Sequence, residues 1–67
     1  MKEFAERLKD LRIEKGLTLM QLAKATGLSH NGIAQWEKCK RVPNGNAIVA
    51  LAKFFGVPTD YLLGLVD

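Results

Sequence analysis

Cysteine is nearly absent from this chain. Cys39 stands alone among 67 residues, which excludes an internal disulfide and fits a reducing, cytosolic setting. Long apolar runs are missing too: nothing approaches the ~20 residues a membrane-spanning helix needs. The opening Met1-Lys2-Glu3-Phe4 lacks the apolar stretch of a signal peptide, so a soluble, cytoplasmic protein is expected. Histidine is as scarce as cysteine, with His30 alone. One histidine, one cysteine and no paired carboxylates on the basic part of the chain give no catalytic or metal-binding constellation. No enzyme activity, metal, cofactor or small-molecule ligand is implied. Alternating apolar and polar runs are also missing, so strands have almost no support.

What is present suits one small helical domain spanning residues 1–67. A chain of this length buries only about 60% of its unfolded surface. Its hydrophobic content of 48% is nevertheless ample for one core. Helix-on-helix packing with short loops is the simplest architecture at this size. Net charge is only +3, but it is unevenly spread. Residues 1–14 balance Lys2, Arg7, Lys9 and Arg12 against Glu3, Glu6, Asp10 and Glu14, with Glu3 and Arg7 spaced for an i,i+4 pair. From Lys15 to Thr59 there are six basic residues and one acid, Glu37. A carboxylate-poor section carrying Lys24, Lys38, Lys40 and Arg41 suits a polyanion, although charge alone fits an ordinary solvated surface equally well.

Glycine and proline divide the chain into short pieces of helical periodicity. The first, Lys2 to Lys15, places Phe4, Leu8, Leu11 and Lys15 on one face and stops at Gly16. Thr18-Leu19-Met20-Gln21 is a capping box that opens a second helix carrying Leu22 and Ala23 and ending near Gly27. Ser29 caps a third helix, running through Glu37 or beyond. After the turn Arg41-Val42-Pro43, Asn44 caps a fourth, with Ile48, Leu51, Ala52 and Phe55 as its apolar stripe. Gly56-Val57-Pro58 breaks it, and residues 59–63 form a last short helix before Gly64.

Two short helices joined around a glycine, at Thr26-Gly27-Leu28, are the signature of a helix-turn-helix over about residues 18–38. The second helix of such a pair enters the major groove of DNA. On a helical wheel, Ile33, Trp36 and Glu37 cluster on one side of residues 29–38, with Ser29 nearby. His30, Asn31, Ala34, Gln35 and Lys38 occupy the opposite arc. Asparagine and glutamine can bond adenine N6 and N7 in a bidentate way, which suits base reading. Any amphipathic helix also needs a polar solvent face, so the wheel alone leaves both readings open.

The segments Gln21-Leu22-Ala23, Gly27-Leu28-Ser29, Ile33-Ala34-Gln35-Trp36-Glu37, Pro43-Asn44 and Phe55-Gly56-Val57-Pro58-Thr59-Asp60-Tyr61-Leu62-Leu63 together resemble the Cro/C1-type (XRE-like) helix-turn-helix regulators. Gln35-Trp36-Glu37 and Pro43-Asn44-Gly45 look especially like lambdoid phage repressors. The resemblance runs from about Arg7 to Gly64. It implies an all-α, five-helix bundle of the lambda-repressor-like type that binds a double-stranded operator as a homodimer and represses transcription.

Carried onto this sequence, the resemblance makes His30, Asn31 and Gln35 the base-reading residues. It assigns Ser29, Lys38, Lys40, Arg41 and Asn44 to the sugar-phosphate backbone, and implies a partly buried salt bridge between Arg12 and Glu37. Leu65 and Val66 are candidates for the dimer contact. Three positions depart from the family pattern. Leu19 stands where a glutamine usually clamps a phosphate, a role Gln21 would fill less well. Gly32 replaces a common serine or threonine, either admitting close approach to DNA or weakening the helix. Cys39 replaces the usual glycine after the third helix, and a residue with a Cβ disfavours a left-handed cap, so a different helix ending is expected. Two other readings stand beside repression: a helical protein-interaction module, for which Leu19, Met20 and Val49 would supply apolar surface, and an antitoxin or restriction-control regulator.

Overall fold

The structure, a computed structural model, describes residues Met1–Asp67 and is built of helices alone. They are α1 (Lys2–Glu14), α2 (Leu19–Thr26), α3 (His30–Glu37), α4 (Gly45–Phe55) and α5 (Thr59–Leu62). None is long and apolar enough to cross a membrane.

Local chemistry explains where most of these helices begin. The Thr18 hydroxyl accepts from the Gln21 amide while the Gln21 carboxamide oxygen accepts from Thr18 N–H, completing the capping box of α2. Ser29 Oγ accepts from Gly32 N–H at α3, and Asn44 Oδ1 from Ala47 N–H at α4. The helices end as consistently. At the end of α1, Gly16 N–H bonds to Ile13 O and Leu17 N–H to Arg12 O, the paired hydrogen bonds of a Schellman motif. The same pairing closes α4 at Gly56 and α5 at Gly64.

α3 closes in this way as well, contrary to the sequence expectation. Cys39 N–H bonds to Trp36 O and Lys40 N–H to Gln35 O, with Cys39 at φ 59°, the one non-glycine residue at positive φ. The two backbone bonds hold the cysteine in a conformation that costs roughly 1–2 kcal/mol for an L-residue.

Phe4, Leu8, Leu22, Ile33, Leu51 and Leu62 are fully buried, so every helix contributes to one core. Each such side chain stabilises the fold by about 1.5–3 kcal/mol relative to exposure. Trp36 packs on this cluster with its ring edge-on to Phe4, the centroids 6.5 Å apart. The apolar stripes are narrower than the periodicity suggests. Leu11, Ile48 and Phe55 are only half-buried, and Lys15 is exposed with its ammonium 5.5 Å from the centroid of the Phe54 ring. No charged or polar side chain lies in the core, and every buried side-chain nitrogen and oxygen has a hydrogen-bond partner.

Candidate nucleic-acid interface

α2 and α3 are joined by Gly27, Leu28 and Ser29, with Gly27 at φ 75° making the turn. Thr26 Oγ1 donates to Leu22 O at 2.8 Å and so stays within its own helix. Leu22 and Ile33, both fully buried, lie on either side of this turn and fix α3 against α2. A third constraint comes from α1. Arg12 Nε donates to Glu37 Oε2 at 2.7 Å, and Nη2 to Glu37 Oε1 at 3.0 Å. The remaining arm, Nη1, donates to Leu17 O at 2.9 Å. The fork-to-carboxylate geometry satisfies both groups at once, with 14% and 7% of the two side chains left exposed. The hydrogen bond to Glu37 raises the Arg12 pKa above its already high ordinary value, against an opposing effect of burial and with the help of the carboxylate's charge. The single acid of the basic section is therefore spent on holding α3 to α1.

The outward side of α3 is thereby presented on a rigid mount. His30 and Asn31 are exposed, and Ala34 and Gln35 are half-buried. None of His30, Asn31 or Gln35 has a side-chain hydrogen-bond partner within the chain. Gly32 is buried and turned inward. A Cβ there would stand 3.3 Å from Trp36 Cζ2 and 3.4 Å from Ser29 Cβ, so the missing side chain makes room for the indole.

Around α3, Lys38, Lys40 and Arg41 are exposed and without carboxylate partners, since Arg12–Glu37 is the only ion pair. Ser29 and Asn44 each use one acceptor as a helix cap. The Ser29 hydroxyl hydrogen and the Asn44 NH₂ group remain available to an acceptor. Gln21 is likewise tied at its carboxamide oxygen, with its NH₂ group free. Leu19 is half-buried against the edge of the core. A pocket of about 250 Å³ opens between α1, α2 and α3, lined by Lys9, Arg12, Leu19, Ala34, Glu37 and Lys38.

The C-terminal segment carries a contact absent from the sequence reading. Arg7 does not pair with Glu3. Its Nη1 donates to Tyr61 O at 2.6 Å and to Val66 O, and its guanidinium lies over the Tyr61 ring at 4.4 Å from the centroid. Leu65 and Val66 are thus tied down at the backbone while their side chains remain 70% and 49% exposed. Helical spacing pairs an arginine only with residues at i,i+3 or i,i+4, and these acceptors are backbone carbonyls 54 and 59 residues away.

The helix-turn-helix family profile matches residues 8–62. The transcriptional activator BcrR of Enterococcus faecalis is 43% identical over 91% of this chain, which spans 30% of that protein. Repressor protein C2 of Salmonella phage P22 is 36% identical over 87% of the chain, equivalent to 27% of its own length. In three dimensions the chain is similar to the crystal structure of the P22 c2 repressor in complex with a synthetic operator. The TM-score is 0.82 at 34% identity, covering 88% of this chain and 89% of the other. The chain therefore spans less than a third of these two relatives yet nearly all of the solved repressor chain. The order of its caps, the short turn at Gly27 and the clamped third helix are those of a domain type whose profile covers most of the sequence: the chain belongs to the helix-turn-helix family, in its Cro/C1 branch.

Proposed function

We propose that this chain is a sequence-specific DNA-binding domain of a cytoplasmic transcriptional regulator, acting as a repressor on a pseudo-palindromic operator. One observation carries the reading. α3 is locked by buried contacts on its inner side and presents His30, Asn31 and Gln35 outward with no partner in the chain. The fold of the chain as a whole is also similar to that of a repressor bound to operator. With α3 in the major groove, those three side chains meet base edges, and the amides of Asn31 and Gln35 match the donor–acceptor pattern of adenine. Gln21, Ser29, Lys38, Lys40, Arg41 and Asn44 meet phosphates and fix the register. The α4 N-terminus beside Asn44 adds first-turn amides suited to an anion. Residues 1–67 act as one domain, and its chemistry is binding, with no reaction catalysed.

Two copies bind together, through the exposed Leu65 and Val66, so half-sites lie about one helical turn apart, ~34 Å. The test is selection of bound sequences from a random duplex library at two salt concentrations. An inverted-repeat consensus establishes a dimeric, sequence-specific regulator. Weak, fully salt-sensitive binding without a consensus overturns the reading and favours a protein partner for the same face.

A further inference from the structure

Past α5 the chain has little of its own to hold it. α5 is four residues long and has no side-chain cap. The turn at Gly64 leads from it into Leu65, Val66 and Asp67, all exposed. These last residues make two hydrogen bonds, from Leu65 N–H to Asp60 O and from Arg7 Nη1 to Val66 O. Only the second comes from outside α5. Terminal residues without such ties are poorly ordered. Two features of α1 fix the segment. Gly64 passes so close to its start that a Cβ there would run into Glu3 Cβ. One turn further along, Arg7 spans from Tyr61 O to Val66 O while its flat face covers the Tyr61 ring.

We infer that Arg7 is the positioning residue for the second copy of the chain: by clamping the backbone on either side of Leu65, it sets how strongly two copies bind an operator together. The inference rests on the proposed dimeric reading, in which Leu65 and Val66 form the contact. Two apolar side chains from each copy make an interface far below the roughly 800 Å² per partner of a stable complex. Such a contact survives only where little freedom is lost in forming it. Ordering one backbone residue lowers affinity by about tenfold. In a two-fold contact both copies supply the same segment, so that loss enters twice. The clamp orders the segment in advance, which is how preorganisation raises affinity. Arg7 is also independent of the reading helix. Its hydrogen bonds and its ring contact all go to Tyr61 and Val66, whereas α3 is held by Leu22, Ile33 and the Arg12–Glu37 pair.

Arg7→Met removes the donors and keeps an unbranched, helix-forming side chain. Binding is titrated on two duplexes, the selected inverted repeat and the same duplex with one half-site scrambled. Arg7→Met should bind the single half-site within about twofold of wild type and the inverted repeat about tenfold or more weakly. Arg7→Lys keeps the charge and a donor, and should show the same split with a smaller loss. That milder variant covers the case of an Arg7→Met protein too unstable to bind. The double variant Leu65→Ser, Val66→Ser should lose the same cooperativity, and adding Arg7→Met to it should change nothing further, because both act on one contact. Equal losses on the two duplexes would mean that Arg7 supports only the fold. A further loss in the triple variant would mean that Arg7 acts somewhere other than Leu65 and Val66. Either result overturns the inference while the proposed DNA binding stands. If the wild-type protein binds the inverted repeat no better than two independent half-sites, the dimeric reading itself fails and takes this inference with it.

Discussion

Arg7 and Tyr61 are joined twice, by a hydrogen bond from Nη1 to the Tyr61 carbonyl at 2.6 Å and by the guanidinium lying 4.4 Å from the centroid of its ring. The same Nη1 also donates to Val66 O, so one side chain of α1 ties down both α5 and the segment that follows it. Hydrogen bonds from a charged donor contribute about 1.5–3 kcal/mol, and an exposed cation–π contact about 0.5–1 kcal/mol. Arg7→Ala should therefore destabilise the domain by roughly 2–4 kcal/mol. Arg7→Lys should recover part of this, because an ammonium lacks the flat face. Thermal melting reads the loss. Hydrogen exchange of the Leu65 amide, which bonds to Asp60 O, reads its location. An Arg7→Ala protein with wild-type melting and a protected Leu65 amide would remove the clamp from the stability of this fold.

The Arg12–Glu37 pair should behave as a partly buried ion pair whose breakage costs more than its replacement. Glu37→Gln leaves the Arg12 charge with a weaker partner and only 14% exposed, a loss of roughly 2–4 kcal/mol. That is a large share of the roughly 3–10 kcal/mol available to a domain of this size. The double variant Arg12→Met, Glu37→Leu should regain most of it, since neither charge remains to be desolvated. The stabilisation should not vary around neutrality through Arg12. Its pKa is raised in the fold, so its contribution is complete below the unfolded value and is lost only as the pH climbs through the still higher folded one. Urea unfolding of the two variants checks the order. A double variant less stable than Glu37→Gln would mean that the pair's net contribution exceeds that of apolar packing.

The helix ends were legible because they depend on residues within five positions of one another. Thr18, Ser29 and Asn44 cap as their side chains dictate, and Gly16, Gly27, Gly56 and Gly64 all sit at positive φ. The inward and outward sides of α3 were legible for the same reason, through the wheel that separates Ile33 and Trp36 from His30 and Asn31. What could not be read depends on packing between distant helices. The space beside Gly32 is taken by the Trp36 indole, a contact that helix propensity does not reveal. Gly64 is required for a like reason: besides its φ of 80°, a Cβ there would run into Glu3 Cβ at the start of α1. The pocket at Lys9 needs three helices to meet before it exists at all. Spacing could not show the reach of Arg7 to a carbonyl 54 residues away.

Cys39 is where local preference and tertiary structure disagree, and the disagreement can be measured. At φ 59° the cysteine carries about 1–2 kcal/mol of left-handed strain. Glycine relieves it at an unfolded-state entropy cost of roughly 0.5–1 kcal/mol. Cys39→Gly should thus stabilise the domain by about 0.5–1 kcal/mol. Cys39→Val should destabilise it, because a β-branched side chain tolerates this conformation least. The weak Sγ contact to Met1 O at 3.9 Å is too long to offset either change. The midpoint of urea unfolding checks both. A lower midpoint for Cys39→Gly would show that the cysteine side chain contributes more to the fold than its backbone conformation costs.

Gln35 and Lys40 should separate the two halves of recognition. Gln35 sits half-buried in the middle of α3 with an unpartnered amide. Its interactions on DNA are proposed to be with one base pair, through paired donor and acceptor. Gln35→Ala should therefore weaken binding to the selected operator by about 1–3 kcal/mol and relax preference at one position per half-site. It should leave non-specific binding and its salt dependence as they were, because no charge is removed. Lys40 lies beyond the end of α3, exposed and without an acidic partner. Lys40→Ala should weaken all sequences alike and make the salt slope shallower by about one, the mark of a lost phosphate contact. Titration of both variants against operator and scrambled duplex, each at three salt concentrations, resolves the four quantities. Equal losses on both duplexes for Gln35→Ala would place that amide on the backbone. An unchanged salt slope for Lys40→Ala would take the turn after α3 away from the DNA and leave α3 itself as the reader.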